Sequence, residues 1–316
     1  MAEDKFTIEA EDGKRIFVYR WLPDEKKKLK CIVQISHGMA EHAGRYKRYA
    51  EYMNSIGIGV YANDHRGHGK TAGSLEKVGY FPDKDGWDFV VSDMFLLTEK
   101  IRDTHPGIAV FLQGQSMGSF LARDYIARDG SKVDGVILTG TAGDPGIKGS
   151  MGILAAKLFS KLLGRRHRDR ILDKSVFGSY NKQFKPARTK FDWLTSDESE
   201  VDKYISDEYC GGIFTSGFFL YLFTGLKKVN KKENFRSIPN ELPIMLISGK
   251  KDPLGEDLKG VERVISSFKE AGIKDVEYKF YKSGRHEMLH EINRDEVFTD
   301  ISEWINSKLK IPVRIG

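Results

Sequence analysis

Strand-length apolar runs and helical patterns alternate in two parts of the chain, from residue 31 to 140 and from 243 to 309. The runs are nearly continuous, which is typical of parallel strands that are buried on both faces. They are CIVQISH (31–37), IGVYAND (58–64), IAVFLQG (108–114), VDGVILTG (133–140), PIMLISG (243–249) and VEYKFYK (276–282). Helical spacing occurs at 45–57, 86–104, 120–130, 257–271 and 294–309. This alternation predicts an α/β fold, a mostly parallel sheet with helices on both faces.

Two segments depart from the alternation. The stretch KFTIEAEDGKRIFVYRWLP alternates apolar and polar residues on both sides of Asp12-Gly13, which predicts a β-hairpin with a D-G turn. Between 144 and 239 the sequence is helical or irregular and rich in Phe, Tyr and Leu. We interpret that stretch as a helical cap inserted at the carboxyl edge of the sheet. Residues 1–143 and 240–316 then form the core domain, and residues 144–239 form the cap.

The pattern G-x-S-x-G occupies residues 114–118, where a predicted strand ends and a predicted helix begins. A nucleophile on a sharp strand-to-helix turn requires this arrangement, because side chains at the two glycine positions would collide with neighbouring elements. The turn would expose the Ser116 hydroxyl at a helix N-terminus. The other interpretation, a glycine-rich turn with an idle serine, explains this placement less well.

A serine nucleophile requires a base, and two of the eight histidines lie beyond the last predicted strand. His286 comes just after that strand, where a loop could bring it back over the sheet edge. The acid should follow the preceding strand, and Asp252 fits this position. Asp257 is the alternative, although it is more simply a carboxylate at a helix N-terminus. We expect Ser116 to attack, His286 to transfer the proton and Asp252 to orient the imidazole.

Residues 286–290 also match H-E-x-x-H, a pattern found in zinc peptidases. A zinc site would need these residues on a helix together with a third ligand. Here Gly284 precedes the pattern and a strand has just ended, so we predict no metal site and no cofactor. His290 is then a packing or hydrogen-bonding residue.

The oxyanion of an acyl-transfer intermediate needs backbone N–H donors. The residue after the nucleophile, Met117, should supply one donor. Met39, in the loop SHGMAEHAGRY after the first apolar run, should supply the other. The nearby DHRGHG (64–69) is more simply a polar turn than a catalytic motif.

Five segments together carry a resemblance to a known family: HGMAEHAGRY, NDHRGHG, GQSMGS, SGKKDP and SGRHE. They resemble the monoacylglycerol lipase and lysophospholipase branch of the α/β-hydrolase fold, which is often grouped with serine aminopeptidases. The resemblance covers about 1–143 and 240–312, and implies the same triad and the same oxyanion donors. Two positions depart from the usual pattern: Gln115 stands where members commonly have His, and Ser119 where they commonly have Gly.

These residues predict a serine carboxylester hydrolase for esters with one acyl chain, such as monoacylglycerols, lysophospholipids or short-chain esters. An aminopeptidase could use the same machinery if a carboxylate cluster in the cap bound the substrate ammonium group. A catalytically silent binding module is a third possibility, which the complete set of triad side chains disfavours. The candidate ammonium-binding carboxylates are Asp192, Asp197, Glu198 and Glu200.

The cap sequence suggests how an acyl chain could be bound. The segments KGSMGILAAKLFSKLL (148–163) and GIFTSGFFLYLF (212–223) are strongly apolar and could pack on each other. They could also wall an acyl pocket above Ser116, to which Leu158, Phe218, Phe219 and Leu222 would contribute.

The net charge of +6 is concentrated in local basic runs, including RRHRDR at 165–170. Such runs are usually solvated, but this one could bring the cap into transient contact with a lipid surface. No nucleic-acid-binding motif accompanies the charge. The N-terminal residues lack the pattern of a signal peptide, so we expect a cytoplasmic protein. The sequence does not indicate an oligomeric state.

Overall fold

The computed structural model describes residues 2–309, and its centre is one eight-stranded sheet. The strands are β1 (Ala2–Glu9), β2 (Arg15–Leu22), β3 (Cys31–Ser36), β4 (Ile58–Asn63), β5 (Ala109–Gln115), β6 (Gly135–Thr139), β7 (Ile244–Gly249) and β8 (Val276–Tyr281). Their order in the sheet is β1-β2-β4-β3-β5-β6-β7-β8. The strands β1 and β2 form the expected antiparallel hairpin, and β2 is also antiparallel to β4. The remaining neighbours are parallel, which confirms the mostly parallel sheet.

Ten α-helices lie within the described residues, and none of them is long and apolar enough to span a bilayer. They are α1 (Lys47–Ser55), α2 (Gly86–Thr104), α3 (Met117–Asp129), α4 (Gly146–Leu162), α5 (Arg170–Phe177), α6 (Glu198–Ser206), α7 (Ser216–Val229), α8 (Lys232–Arg236), α9 (Lys259–Glu270) and α10 (Arg294–Leu309).

The sheet carries a hydrophobic core on each face. Within β5, the side chains of Val110 and Leu112 belong to the core that α2, α3 and α9 cover. Phe111, between them, belongs to the opposite core, which α1 and α10 cover and where it meets Trp304. Successive side chains of a strand point to opposite faces, so a strand covered on both sides is apolar over most of its length. The structure thus confirms the prediction of helices on both faces.

The segment between β6 and β7 contains five helices, α4 to α8, where the sequence predicted a cap. Side-chain oxygens of Asp169, Asp197 and Thr215 accept backbone N–H groups in the first turns of α5, α6 and α7, so these helices have defined starts. The end of α7 is held by α3, since Arg123 donates to the carbonyl oxygen of Val229 at 3.0 Å. The cap boundaries at 144 and 239 stay a prediction.

The two apolar cap segments pack on each other through α4 and α7. The packed side of α4 includes the buried residue Ala156 and Gly152, which abuts the Phe223 ring on α7. The opposite side carries an exposed stripe at helical spacing: Ile147, Met151, Leu154, Leu158 and Leu162. Leu158 is 50% exposed on the side of α4 that faces away from α7, and its place in a pocket wall stays a prediction.

Candidate active site

The site lies where the strand order reverses. The chain leaves β3 toward β4 on one side and later returns to β5 on the other side of β3. The loops after β3 and β5 therefore separate in opposite directions and leave a crevice at the carboxyl edge of the sheet. Ser36 and Gly114 are register partners in these strands, so the two loops start side by side.

Ser116 occupies the sharp turn between β5 and α3 with φ 52° and ψ −119°. A non-glycine residue with positive φ is strained, and such strain concentrates at functional sites. Ser116 is partly exposed, whereas its neighbours in the turn are buried. A Cβ atom at Gly118 would lie 1.9 Å from the Ser36 carbonyl oxygen, and one at Gly114 would lie 2.4 Å from that of Gly118. The helix can approach the sheet this closely only with glycine at both positions.

His286 and Asp252 are brought together by the loops after β8 and β7. Both are buried, and His286 Nδ1 lies 2.9 Å from Asp252 Oδ2. The other carboxylate oxygen accepts the Leu254 N–H at 2.9 Å, which fixes the orientation of the carboxyl group. Because Nδ1–H donates to the carboxylate, Nε2 is left as a proton acceptor. Asp257, the alternative acid, is exposed and precedes α9.

His286 lies beside the nucleophile turn. A Cβ atom at Gly140, at the end of β6, would lie 3.0 Å from His286 Cε1, while the preceding residue, Thr139, accepts the Ser116 N–H at 2.9 Å. In the described part of the chain, no hydrogen bond joins Ser116 Oγ to His286. Such bonds are often long in enzymes without bound substrate.

The charge environment favours protonation of His286. Burial alone would lower the pKa of this imidazole, but the Asp252 carboxylate outweighs burial, with smaller contributions from Glu287 and Glu41. The net effect raises the pKa of His286 above its usual 6.5. The side chain can therefore accept a proton and hold it as a stabilised imidazolium.

The loop after β3 is folded against the nucleophile. A Cβ atom at Gly38 would lie 3.3 Å from Ser116 Cβ. His37 Nδ1–H donates to the Gly38 carbonyl at 2.7 Å, and the Gly38 N–H donates to Glu41 at 2.6 Å. Burial lowers the pKa of His37 to about 3, which keeps the ring neutral.

The two amides predicted as oxyanion donors remain available at this site. Among residues 2–309, neither the Met39 nor the Met117 backbone N–H has a hydrogen-bond acceptor. Met117 is the first residue of α3, and the N–H groups in the first turn of a helix have no acceptors within the helix. Within the described residues, both amides are therefore free of protein acceptors, as the predicted role requires.

A buried ion-pair network joins two loops of the site. One is the loop after β3, residues 37–46, called here the Gly38 loop, and the other is the loop after β8, residues 282–293, called here the histidine loop. Arg45 donates to both carboxylate oxygens of Glu287, at 2.8 and 2.7 Å, and to Glu41 at 2.7 Å. Burial alone would raise the pKa of Glu287, but Arg45 outweighs it and lowers that pKa to about 2. The sequence analysis did not identify this role for Arg45 or Glu287.

The same network accounts for the H-E-x-x-H pattern. His286 contacts Asp252, Glu287 is held by Arg45, and His290 Nε2–H donates to the Arg45 carbonyl at 3.4 Å. Only residues 288–290 are helical, as a single turn of 3-10 helix. His290 Nδ1 also lies 3.4 Å from Glu287 Oε2. The His286 imidazole is directed to Asp252 instead, so the three side chains do not converge as ligands.

A different group, His42, Asp207 and Cys210, brings one potential ligand atom from each residue within 4.8 Å of the others. The His42 ring nitrogen Nδ1 accepts the Gly44 N–H at 3.2 Å, so the proton lies on Nε2, which donates to Asp207 at 2.9 Å. A metal on Nε2 would push that proton onto Nδ1, against a backbone donor. The group is better described as a hydrogen-bonded contact between the Gly38 loop and the cap.

Cap residues 192–196 cover the histidine loop. The Trp193 ring packs on His286 with centroids 5.0 Å apart, and its carbonyl accepts the His286 N–H at 3.4 Å. Leu194 in turn accepts the Glu287 N–H at 2.7 Å. The sequence analysis missed this segment because no motif or periodicity marks it; the contact depends on how the chain folds back.

The other cap residues predicted to bind substrate are in the core. Phe218 and Phe219 are fully buried, and Leu222 is nearly so. Phe218 packs against the rings of Phe81 and His68. Their role as pocket walls stays a prediction.

Comparison with known proteins identifies the family. The family model described as serine aminopeptidase, S33, matches residues 27–293 of this chain. The chain belongs to this family. The match spans the β3 loop, the nucleophile turn, the segment between β6 and β7, and the histidine loop.

Similar proteins of known description cover almost the whole chain. Monoglyceride lipase of Mus musculus is 27% identical over 304 residues, covering 94% of this chain and 89% of the mouse protein. Monoacylglycerol lipase of Mycolicibacterium smegmatis is 27% identical over 301 residues, covering 94% and 95%. A carboxyl esterase from Bacillus coagulans, solved in complex with glycerol, superposes with a TM-score of 0.90 at 28% identity, covering 98% and 99%. The fold is thus that of the α/β-hydrolases, with helices inserted between β6 and β7.

Proposed function

We propose that this chain is a serine ester hydrolase that cleaves esters carrying one acyl chain, monoacylglycerols foremost, through an acyl-enzyme on Ser116. The observation that carries the proposal is the placement of a strained, partly exposed Ser116 beside a buried His286–Asp252 pair at one sheet edge. Relatives named as monoglyceride lipases and a carboxyl esterase support the ester class.

The reaction would proceed in two halves. Ser116 Oγ attacks the ester carbonyl while His286 Nε2 takes its proton, and the Met39 and Met117 amides bind the oxyanion that develops. Collapse of the intermediate breaks the bond to the alcohol, which leaves with the proton from His286. Water then attacks the acyl-enzyme with His286 again as base, and releases the carboxylic acid and free Ser116.

The cap carboxylates proposed to bind a peptide ammonium group are otherwise engaged. Asp192 accepts the N–H groups of Arg188 and Thr189, and Asp197 pairs with Arg294 at 2.8 Å. Glu200 pairs with Lys203 at 2.7 Å, while Glu198 is largely exposed. These local partners favour ester over aminopeptidase activity.

The experiment combines active-site labelling with a substrate panel. A fluorophosphonate probe should label the wild-type chain at Ser116 and leave Ser116→Ala unlabelled. Hydrolysis should be faster for monoacylglycerols and p-nitrophenyl esters than for aminoacyl amides. Absence of labelling would support a silent binding module, and faster amide cleavage would support an aminopeptidase.

We also propose that α4 contacts the surface of the lipid substrate. Met151, Leu154 and Leu162 are 66%, 70% and 68% exposed, and they form one apolar stripe with Ile147 and Leu158. Exposed cations accompany that stripe: Lys148, Lys157 and Lys161 on α4 itself, and Arg166, Arg168 and Arg170 in the chain that follows it. An exposed apolar helix face with a basic rim is suited to the interface of an anionic membrane.

Vesicle sedimentation tests this second proposal. The wild-type chain should bind vesicles containing anionic lipid, and the double variant Leu154→Ser, Leu158→Ser should bind at least about fivefold less, because burial of these side chains drives insertion. Ile292→Ser is the matched control, since Ile292 is 69% exposed outside the stripe. Equal binding by the double variant and wild type would exclude α4 as the contact.

A further inference from the structure

Gln115, the last residue of β5, connects the nucleophile to the histidine loop. Its carboxamide is buried, and the Nε2–H group donates to the main-chain carbonyl of His286 at 3.2 Å. Gln115 directly precedes Ser116, so this bond joins the strand that carries the nucleophile to the residue that carries the imidazole. The two residues are 171 positions apart in sequence.

The orientation of this amide is determined by Thr139 on the neighbouring strand. Thr139 Oγ1–H donates to Gln115 Oε1 at 2.6 Å, which is closer than its second acceptor, the Gly114 carbonyl at 3.1 Å. An oxygen facing that hydroxyl places the NH₂ group toward His286, so the donor cannot rotate away without losing a buried hydrogen bond. Breaking such a bond leaves a buried polar group unsatisfied, which is costly.

The contact leaves little room for a side chain at Gly140. A Cβ atom at Gly140 would lie 3.0 Å from Gln115 Nε2, 3.0 Å from His286 Cε1 and 3.1 Å from the His286 carbonyl oxygen. Gly140 has φ 57°, which favours glycine at this position. The amide, the carbonyl and the imidazole therefore meet in one tightly packed place.

The remaining backbone contacts of this part of the histidine loop come from a different direction. The N–H groups of His286 and Glu287 donate to Trp193 and Leu194 of the cap. Gln115 instead donates to the carbonyl of His286 from the side of the sheet. The loop is thus fixed between the cap and the strand that ends in Ser116.

We propose that Gln115 is a positioning residue, which sets the distance between Ser116 and His286 by holding the His286 carbonyl. This inference rests on the proposed serine hydrolase function. Small errors in the placement of reacting groups reduce the rate of the chemical step far more than they reduce substrate binding. A defect at Gln115 should therefore appear in kcat and leave KM nearly unchanged.

The test uses variants at position 115 and a matched control on the same strand face. Gln115→Leu removes both hydrogen bonds at similar volume, and Gln115→Glu keeps the shape but replaces the N–H donor with a carboxylate. Both should reduce kcat on a p-nitrophenyl ester by about 10- to 100-fold, the scale expected for a misplaced reacting group, with KM within about threefold. Gln115→His retains an N–H donor and should recover most of the loss.

The control is Gln113→Leu, two residues earlier and equally buried. Gln113 accepts a hydrogen bond from Tyr49 at 2.7 Å, on the side of α1, whereas the amide that binds the His286 carbonyl is that of Gln115. Gln113→Leu should lose stability but retain kcat within about threefold of wild type, because it leaves the reacting groups in place. Equal losses of kcat in Gln113→Leu and Gln115→Leu would show a structural role only and overturn the proposal.

A second variant covers the case in which Gln115→Leu does not fold. Thr139→Val keeps the shape of the side chain and removes only the hydroxyl that orients the amide, so it should also lower kcat with little change in KM. Wild-type kcat in a folded Thr139→Val or Gln115→Leu would refute the inference. Fluorophosphonate labelling separates the two levels: if the wild type is not labelled, the serine mechanism fails, whereas labelling with unaltered Gln115→Leu kinetics refutes only the role of Gln115.

Discussion

At the scale of single residues, the site depends on which of two nearby carboxyl groups meets His286. Asp252 is fully buried and contacts the imidazole, whereas Asp257 is exposed and lies before α9. The sequence analysis favoured Asp252 because it follows β7 directly. The structure adds the reason: the carboxyl ends of adjacent parallel strands bring the loops after β7 and β8 together.

Substitution of the three triad residues and of the alternative acid, Asp257, gives the first prediction. Ser116→Ala and His286→Ala should each lower kcat by at least about a thousandfold, because members of a triad act as a unit. Asp252→Asn should lose somewhat less. Asp257→Asn, the control, should stay within a few-fold of wild type. Steady-state ester hydrolysis measures all four, and an essential Asp257 with a dispensable Asp252 would reassign the acid.

The pH dependence of hydrolysis is the second prediction. His286 acts as a base only when neutral, and Asp252 helps to raise its pKa above 6.5. Activity should therefore be low below that pKa and rise as the pH increases through it. A profile of kcat/KM against pH should show one ascending limb with a midpoint above 6.5. A midpoint well below this value would mean that burial outweighs the carboxylate.

Chelation gives the third prediction. Because His286 is held by Asp252 and Glu287 by Arg45, the H-E-x-x-H side chains do not converge on one point, and prolonged incubation with a chelator should leave esterase activity unchanged. The measurement is the rate before and after dialysis, with and without added zinc. Activity that is lost and then restored by zinc would require a metal-dependent mechanism.

At the scale of elements, the turn between β5 and α3 determines whether a nucleophile can be presented at all. The helix begins immediately after Ser116, and its first turn lies against the end of β3. The sequence pattern was sufficient to predict this turn, because only glycine allows such close approach of backbones. The exposed stripe on α4 shows the opposite case: the sequence marked the segment as strongly apolar but did not show which of its residues would face α7.

Substitution of a turn glycine is the fourth prediction. Gly118→Ala would place a methyl group 1.9 Å from the Ser36 carbonyl oxygen, so β3 and α3 would have to separate. We expect destabilisation of about 3 kcal/mol or more, the upper end of the cost of overpacking, and loss of activity. Gly212→Ala is the control, since nothing lies within 4 Å of its Cβ position. Urea unfolding compares the two, and equal stability would mean that the turn has room to adjust.

At the scale of the whole molecule, the Arg45–Glu287 pair joins distant parts of the chain. The two residues are 242 positions apart, and their contact links the Gly38 loop to the histidine loop. The pair is buried, and Glu41 extends it toward Gly38. The network therefore links the Gly38 loop, which carries the predicted oxyanion donor Met39, to the histidine loop, which carries the predicted base. This link forms only when the two loops meet in the folded chain.

Acid stability gives the fifth prediction. Arg45 lowers the pKa of Glu287 to about 2 from an ordinary 4.5, so the stabilisation is present above pH 4.5 and is lost as the pH falls toward 2. Glu287→Gln should cost about 3 kcal/mol at neutral pH, the lower end of the cost of breaking a buried ion pair, since it leaves the buried guanidinium with Glu41 as its remaining carboxylate partner. This difference from wild type should shrink below pH 4.5. Urea unfolding at neutral and acidic pH measures it, and a pH-independent difference would assign the loss to packing.

The sequence alone determined the alternation of strands and helices, the nucleophile turn and the candidates Asp252 and His286. These features depend on local chemistry: apolar runs, glycines at a close approach, and the positions of strand ends. The tertiary structure alone decided which side of α4 faces α7, the packing of Trp193 on His286, and the contacts of Gln115 and Glu287. Those contacts join residues far apart in sequence. Which residues meet depends on how the chain folds back on itself and on how the side chains fit together, and neither leaves a periodic signal in the sequence.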